Sequence, residues 1–469
     1  MGLQARAEQS GRKRSDGRQD DRASIRDLDA AAAAGEPDSL LYVAVEDPVD
    51  YMVRNDSENA AIGMRRFFCG QMDPYVCRLV EPEVLLEGKR RGFFMLPLYD
   101  KQQGMAGRLG SLPASWIEAL RQRKAGLFLD HSTEGRPYVE TASQEWHESL
   151  ASYGVPPSTV VFVTQTRNYA QHYDDWCRAH GVAEKVHIFN YDYFVKLFFS
   201  HYNGDSTKAN MAINARRQMF DEKVCEKAYV ALNFKPRPWR IALLTHILRD
   251  GLWDEGFISF GGFENEEGLI KSKANVFKGS GPIEGFLELE VAQDCSDYLE
   301  ALKAKGTILF GKDEGDSSGW INRPRNRVLD MDNDIYFRSA FSLIPETEMF
   351  PEFHRVTEKP FKAFANCHPM ILFGNYRSLP LIHELGFKTF GKWIDESYDE
   401  IAEPNERFRA AYRAFREFLP KARTLVRDDA ELRETLIFNM EHAVSTLPRR
   451  FTDIIDRQAC RELAALLKD

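Results

Sequence analysis

The chain has 469 residues, 43% hydrophobic, 28% charged and 12% aromatic, which is enough for two domains of ordinary size with substantial cores. A formal net charge of −9 and a pI near 5.8 exclude the broadly basic surface that general nucleic-acid binding requires. Seven scattered cysteines (Cys69, Cys77, Cys177, Cys225, Cys295, Cys367 and Cys460) contain no C-x-x-C pair, so neither a disulfide framework nor a structural zinc site is expected, and reduced thiols in a cytoplasm are the simpler reading.

Residues 1–38 mix Arg, Lys, Asp, Gln, Ser and Gly around a short alanine run and are expected to form a disordered tail. They lack the roughly 7–15-residue apolar core of a secretory leader. No stretch reaches the roughly 18 apolar residues of a membrane span, so any membrane contact is expected to be peripheral, at the inner face. From Leu40, short β-branched and aromatic runs at 40–45, 93–96, 125–130, 160–163 and 186–189 alternate with helical spacing at 116–120, 146–153, 169–179 and 193–199. That alternation predicts an α/β fold with a parallel sheet covered on both faces, and residues 39–205 read as one Rossmann-like domain.

Functional residues in such sheets lie beyond the carboxyl ends of the strands. The loop after the strand at 125–130 supplies Asp130, His131, Ser132, Thr133 and Glu134 ahead of Gly135. Glu134 is the candidate general base, with Asp130 and His131 as close competitors; an Asx-type turn with Glu134 in solvent is the other reading. A second polar loop runs Thr164-Gln165-Thr166-Arg167-Asn168.

Residues 206–224 read as a polar linker with some helical character. The second domain, 225–400, opens on a strand at 228–232 that ends at Asn233 and passes through Lys235-Pro236-Arg237-Pro238 into a helix near Trp239. Pro238 suits a first helical turn. Lys235, Arg237 and Arg240 cluster at a strand's carboxyl end, where cations neutralise a diphosphate and Arg does so with two parallel hydrogen bonds. A solvent-facing Arg240 is the alternative. Further strands are expected at 257–260 and 306–310, with a helix at 298–303. Asp330 and Asp332 form a D-x-D pattern; a turn before a strand at Ile335 is preferred to metal binding, and no metal is expected.

Residues 341–374 carry the strongest signal: a strand at 341–344, a loop with Glu346 and Glu348, a helix opening near Thr357, and a strand at 370–373. Thr357 is expected to cap that helix. Lys359 and Lys362 near the same helix end oppose its dipole, which makes sense if an anion such as phosphate binds there; solvated surface lysines are the alternative. Beyond it come a helix at 379–385 ended by Gly386, a loop at 393–399, and apolar stripes at 408–419, 431–443 and 454–467. The last three, within a C-terminal helical segment 401–469, either cross back to the first domain or form a homodimer surface.

Arg355-Val356-Thr357-Glu358-Lys359, followed by Phe361, Ala363, Ala365, Pro369 and Gly374, resembles the donor-site motif of the α1,3-fucosyltransferase family. That motif is an acidic loop, then aromatic-x-Thr-Glu-Lys, a small-residue helix, Pro, and a strand ending in Trp-Gly. The opening of the second domain is similar to the family's as well, with Asn233 matching its Asn and Arg240 its phosphate-binding Arg. The resemblance implies an inverting, metal-independent glycosyltransferase of the GT-B architecture, with two Rossmann-like domains. It implies that Glu358 holds the donor ribose and Lys359 a diphosphate oxygen; Arg237, Glu346, Arg355 and Thr357 are the further candidates for the donor site. The implied co-substrate is a nucleoside-diphosphate sugar, GDP-sugar favoured, and the implied acceptor a hydroxyl of a glycan or surface polysaccharide; no cofactor is implied. The chain departs from the family where Ile344-Pro345-Glu346 replaces Phe-Glu-Asn, where the loop to Thr-Glu-Lys is longer, and where Phe373-Gly374-Asn375 lacks the Trp. These positions bear on base and sugar, so GDP-fucose is one candidate among several. Two other classes stand beside this reading: a non-catalytic nucleotide- or sugar-binding module, and an interaction protein using its C-terminal helices.

Overall fold

The structure, a computed structural model, describes residues 41–44, 77–88, 90–97, 105–131, 138–192, 195, 206–233, 235–263, 281–308, 333–350, 352–450 and 456–467. The tail 1–38, Glu134, Asp330, Asp332 and all but one residue of 193–199 lie outside them.

The first half builds a six-stranded parallel sheet from β1 (Leu41–Ala44), β2 (Cys77–Val80), β3 (Gly92–Pro97), β4 (Gly126–Asp130), β5 (Val160–Thr164) and β6 (His187–Asn190), in the order β2-β1-β3-β4-β5-β6. Its helices are α1 (Pro82–Leu86), α2 (Met105–Ser111), α3 (Ala114–Arg121), α4 (Glu140–Ser152) and α5 (Tyr169–Ala179). β1 and β5 are buried at every position, as continuous apolar runs are when a parallel sheet is covered on both faces. Phe94, Leu127 and Phe162 pack on one face against Trp116, Leu120, Trp146 and Tyr173.

The second half contributes α6 (Ser206–Asp221), β7 (Lys227–Asn233), α7 (Pro238–Arg249), β8 (Gly256–Phe260), α8 (Pro282–Leu287), α9 (Leu299–Ala304), α10 (Asn333–Phe337), β9 (Ser339–Pro345), α11 (Lys359–Ala365), β10 (Met370–Phe373) and α12 (Ser378–Glu384). Its four strands are all parallel, in the order β10-β9-β7-β8. The stretch expected as a polar linker is the 16-residue helix α6, and it packs into the core through Ala209, Ala212, Ile213 and Phe220. Its apolar residues recur three or four apart within a polar sequence, so only one narrow face is buried. Ile335 does not open a strand. It lies in α10, buried with Tyr336 against Val230, because a short apolar run has no periodicity that separates strand from helix. Of the strand expected at 306–310, the described part makes a single antiparallel bridge, Ile308 to Phe260.

The chain finishes with α13 (Pro404–Asp428), α14 (Ala430–Glu441), α15 (Leu447–Arg450) and α16 (Asp456–Ala465). The 25-residue α13 lays Phe408, Phe415 and Phe418 under the second sheet, with Phe415 5.2 Å from Tyr229 and Phe418 5.1 Å from Phe341 between ring centroids. Glu403 starts the helix by accepting from the amides of Asn405 and Glu406, with Pro404 in the first turn. Of the two placements open for the last helices, α16 shows the crossing: Ala459, Cys460 and Leu463 cover the face of the first sheet that carries Val43, Phe93, Phe128 and Val161. Among the described residues, no helix is long and apolar enough to cross a membrane.

The loop before α13 holds two carboxyls displaced from their ordinary range. Burial pushes Glu396 up to about 7 although it accepts from the Phe390 amide at 2.8 Å, and burial pushes Asp399 up to about 6 although it caps α12 through the amides of Ser378 and Leu379. Between its ordinary value and about 7, Glu396 keeps a proton in the folded chain that it loses on unfolding, so its contribution to stability falls as pH rises through that window. Buried histidines such as His246 and His368 are pulled down and act with the opposite sign, so the informative quantity is a difference. Glu396→Gln is expected to raise Tm relative to wild type by an amount that grows from pH 5 to pH 8, on a scale of about 2–4 °C per kcal/mol, in paired thermal melts.

Candidate anion-binding site

The strand register brings four chain ends of the second sheet level: Asn233 pairs with Phe260, Phe373 pairs with Pro345, and β7 and β9 are in register through Ala231 and Leu343. From β7 the chain moves to β8 on one side and returns to β9 on the other, so strand order reverses between β7 and β9. The crevice at the carboxyl ends of strands flanking such a reversal is where open α/β sheets bind ligands.

On the β7 side, Arg237 precedes α7 and Arg240 lies in its first turn. Arg240 is only 6% exposed, which removes the solvent-facing reading. Its Nε donates to Pro345 O at 3.4 Å and an Nη to Lys235 O at 3.3 Å, and no carboxylate among the described residues pairs with it. Burial, reinforced by Arg237, draws its pKa down to about 10, against the opposing pull of Glu346, Glu348 and Glu358. The half-buried Arg237 side chain likewise has no hydrogen bond or ion pair among the described residues. Two adjacent guanidiniums thus sit at the crevice without a paired carboxylate among the described residues. Asn233, the last residue of β7, is fully buried, with Nδ2 donating to Ala231 O at 3.3 Å and Oδ1 accepting from nothing among the described residues.

On the β9 side, Glu346 is buried and accepts from the Thr357 amide at 3.2 Å, the Thr357 hydroxyl at 2.7 Å and Lys359 Nζ at 2.9 Å. Burial alone would raise its pKa, but Lys359 and Thr357 outweigh it and hold the carboxyl below its ordinary value. Thr357 Oγ1 accepts from the Lys359 amide, the first of α11, at 3.4 Å, as expected of a residue that serves the free amides of the first turn, although Glu358 stands at the cap position. The hydroxyl proton goes to Glu346, because a buried carboxylate needs donors. Lys362 is not a solvated lysine at the helix start: it is buried in the last turn of α11. Glu358 lies 3.8 Å from Lys359 Nζ, and Arg355 forms a buried pair with Glu348 at 2.9 Å. Lys359 and Arg355 therefore each have a carboxylate partner, whereas among the described residues Arg237 and Arg240 do not.

One organising residue had no sequence signal. Arg407 of α13 is fully buried and donates to Gly374 O at 3.0 Å, Ile401 O at 2.6 Å, Ala402 O at 2.8 Å and Met349 O, which fixes the loops after β9 and β10 to one another. Burial lowers its pKa to about 10. In sequence it is one more arginine beside an apolar stripe.

The proposed base loop of the first half is only partly described. Asp130 ends β4, and His131 is buried, its amide donating to Val163 O at 3.0 Å and its ring stacked on Phe162 at 5.6 Å. The second polar loop makes the contact across the halves: Arg167 N donates to His354 O at 2.8 Å, three residues before Thr357. Among the described residues no group of His, Cys, Asp and Glu is arranged to hold a metal ion. No protein-family model matches this chain, and no curated protein matches it.

The two ends of the Glu346–Lys359 pair differ in exposure, with side chains 2% and 20% exposed. Removing Lys359 strands a buried carboxylate, while removing Glu346 leaves an ammonium that reaches water. Lys359→Ala is therefore expected to destabilise by about 3 kcal/mol and Glu346→Ala by less, in urea unfolding; the reverse order would mean that Lys359 is not the main counter-charge of Glu346.

Proposed function

We propose that this chain is an inverting glycosyltransferase with two Rossmann-like domains in a GT-B-like arrangement, binding a nucleoside-diphosphate sugar at the β7/β9 crevice. The observation that carries the reading is the pair Arg237 and Arg240, cationic and without carboxylate partners among the described residues, at the point where strand order reverses. A diphosphate supplies the missing negative charge and offers acceptors to both guanidiniums. Asn233 Oδ1 accepts from a donor hydroxyl, and Glu358, beside Lys359, binds the ribose diol.

In the reaction, the acceptor hydroxyl attacks the anomeric carbon as the bond from that carbon to the diphosphate oxygen breaks, in one displacement that inverts configuration. The acceptor proton goes to a carboxylate or imidazole of the first domain, with Glu134, Asp130 and His131 as the candidates. The charge that develops on the leaving diphosphate is met by Arg237, Arg240 and the ammonium of Lys359. The contact of Arg167 with His354 brings loops from the carboxyl ends of the two sheets together, which suits an acceptor presented by the first domain to a donor held by the second.

The test is a thermal-shift series with GDP, UDP, CMP and ADP, each with and without Mg²⁺, on wild type, Arg237→Ala and Arg240→Ala. A ligand at about 100 times its Kd adds roughly 2.7 kcal/mol, a rise of several degrees. One nucleoside diphosphate is expected to stabilise wild type, with Kd raised about 10- to 100-fold in either variant. No response to any of the four, or an undiminished response in both variants, overturns the site. Binding without release of nucleoside diphosphate from the matching sugar nucleotide in the presence of acceptors overturns the catalytic part and leaves a binding module.

A further inference from the structure

Arg407 stands in the first turn of α13 and has no exposed surface, so it touches nothing that enters the β7/β9 crevice. Its nitrogens nevertheless reach three separate stretches of chain. Nη2 donates to Met349 O, Nε to Gly374 O at 3.0 Å, and Nη1 to Ile401 O at 2.6 Å and Ala402 O at 2.8 Å. Asp399 and Glu403 favour its charged form, yet neither they nor any other carboxylate among the described residues forms an ion pair with it. Stability alone does not call for such a group, because an apolar side chain of similar volume serves a buried position as well as a charge or better.

What the guanidinium holds leads to the crevice. The loop fixed at Met349 O begins at Pro345, and Pro345 O is the acceptor of Arg240 Nε at 3.4 Å. Residues 345–349 are therefore held at one end by Arg240 and at the other by Arg407, with Glu346 between them. Glu346 in turn holds Lys359 Nζ at 2.9 Å. The next residue of α13 repeats the connection. The Phe408 ring lies 5.9 Å from that of Trp239, beside Arg240 in the first turn of α7, and Trp239 meets Phe350 at 6.3 Å. The arginine wall and the lysine wall thus share one short segment, and Arg407 joins that segment to the end of β10.

We propose that Arg407 is a positioning residue of the anion site, which sets the affinity for a nucleoside diphosphate from beneath the crevice without touching it. The proposal rests on the nucleotide reading of that crevice. With the bridge in place, Arg240 and Lys359 converge before the ligand arrives, and little ordering is left to oppose binding. With the bridge lost, segment 345–349 relaxes and both cations lose their fixed positions. Lysine cannot replace the arginine: it keeps the charge, but its donors radiate from one nitrogen and do not span carbonyls that the planar guanidinium fork reaches from three nitrogens.

The experiment titrates the full chain with GDP, UDP and ADP by calorimetry and follows backbone hydrogen exchange by mass spectrometry, in wild type, Arg407→Lys, Arg407→Gln and Phe418→Leu. Phe418 packs on Phe341 further along α13, so its variant controls for lost stability. For the nucleotide that wild type binds, Kd is expected to rise about 10-fold in both Arg407 variants and to stay within about twofold in Phe418→Leu. Exchange at 345–349 and 374–377 is expected to quicken in both Arg407 variants without any nucleotide. Wild-type affinity in Arg407→Lys beside weakened binding in Arg407→Gln would make the charge responsible and overturns the proposal. An equal loss of affinity in Phe418→Leu overturns it too. If wild type binds none of the three nucleotides, the nucleotide reading fails by itself, and unchanged exchange at 345–349 in the Arg407 variants then overturns the positioning role separately. Should neither Arg407 variant fold, wild type decides: bound nucleotide must slow exchange at 399–407 by linkage, and unchanged exchange there overturns the proposal.

Discussion

Glu346 ends at the carboxyl end of β9 with almost no access to water, where an unpaired carboxylate would cost several kcal/mol, and the chain around it is arranged to supply donors. The loop that leaves β9 must return far enough for Thr357 and Lys359 to reach back, and this fixes where α11 begins. The neighbouring loop must approach closely too. A Cβ on Gly374 would stand 3.4 Å from Glu346 Cγ and 3.1 Å from Leu372 Cγ, a tight fit that the neighbouring side chains could meet only by shifting a few tenths of an ångström. Arg407 then fixes the two loops from below through their carbonyls, with a cation instead of another carboxylate. The consequence is a preorganised ammonium at Lys359, held in place before any ligand arrives.

The opposite wall of the crevice follows a different logic. Arg240 is as buried as many core residues but hydrogen-bonds only to backbone oxygens, and Arg237 beside it has no partner among the described residues. Desolvating one guanidinium next to another is unfavourable in the empty state, as the lowered pKa of Arg240 records. A fold tolerates such an arrangement where a ligand relieves it. The two walls together, one neutralised and one not, suit an anion bound on the arginine side and steered by the lysine.

Elsewhere the architecture depends on distant parts of the chain. The sheet of the first half is completed by α16, formed more than 250 residues after β6, which covers its second face with Ala459, Cys460 and Leu463. Its carboxyl-end loop at Arg167 touches the segment that leads into Thr357.

What the sequence by itself determined was local. Runs such as Val160–Thr164 and Met370–Phe373 announce buried parallel strands because a strand covered on both faces has no polar alternation to keep. Pro238 and Asn233 mark how β7 gives way to α7, and the basic character of the loop between them is legible from residue type alone. The tertiary structure decided which charges meet. It paired Lys359 with Glu346 thirteen positions away, brought Arg407 to Met349 across 58 positions, directed the Thr357 hydroxyl proton to Glu346, and aimed Lys223 inward. The physical reason is that periodicity records which face of one element is buried, whereas the partner of a buried charge is chosen by register between elements far apart in the chain.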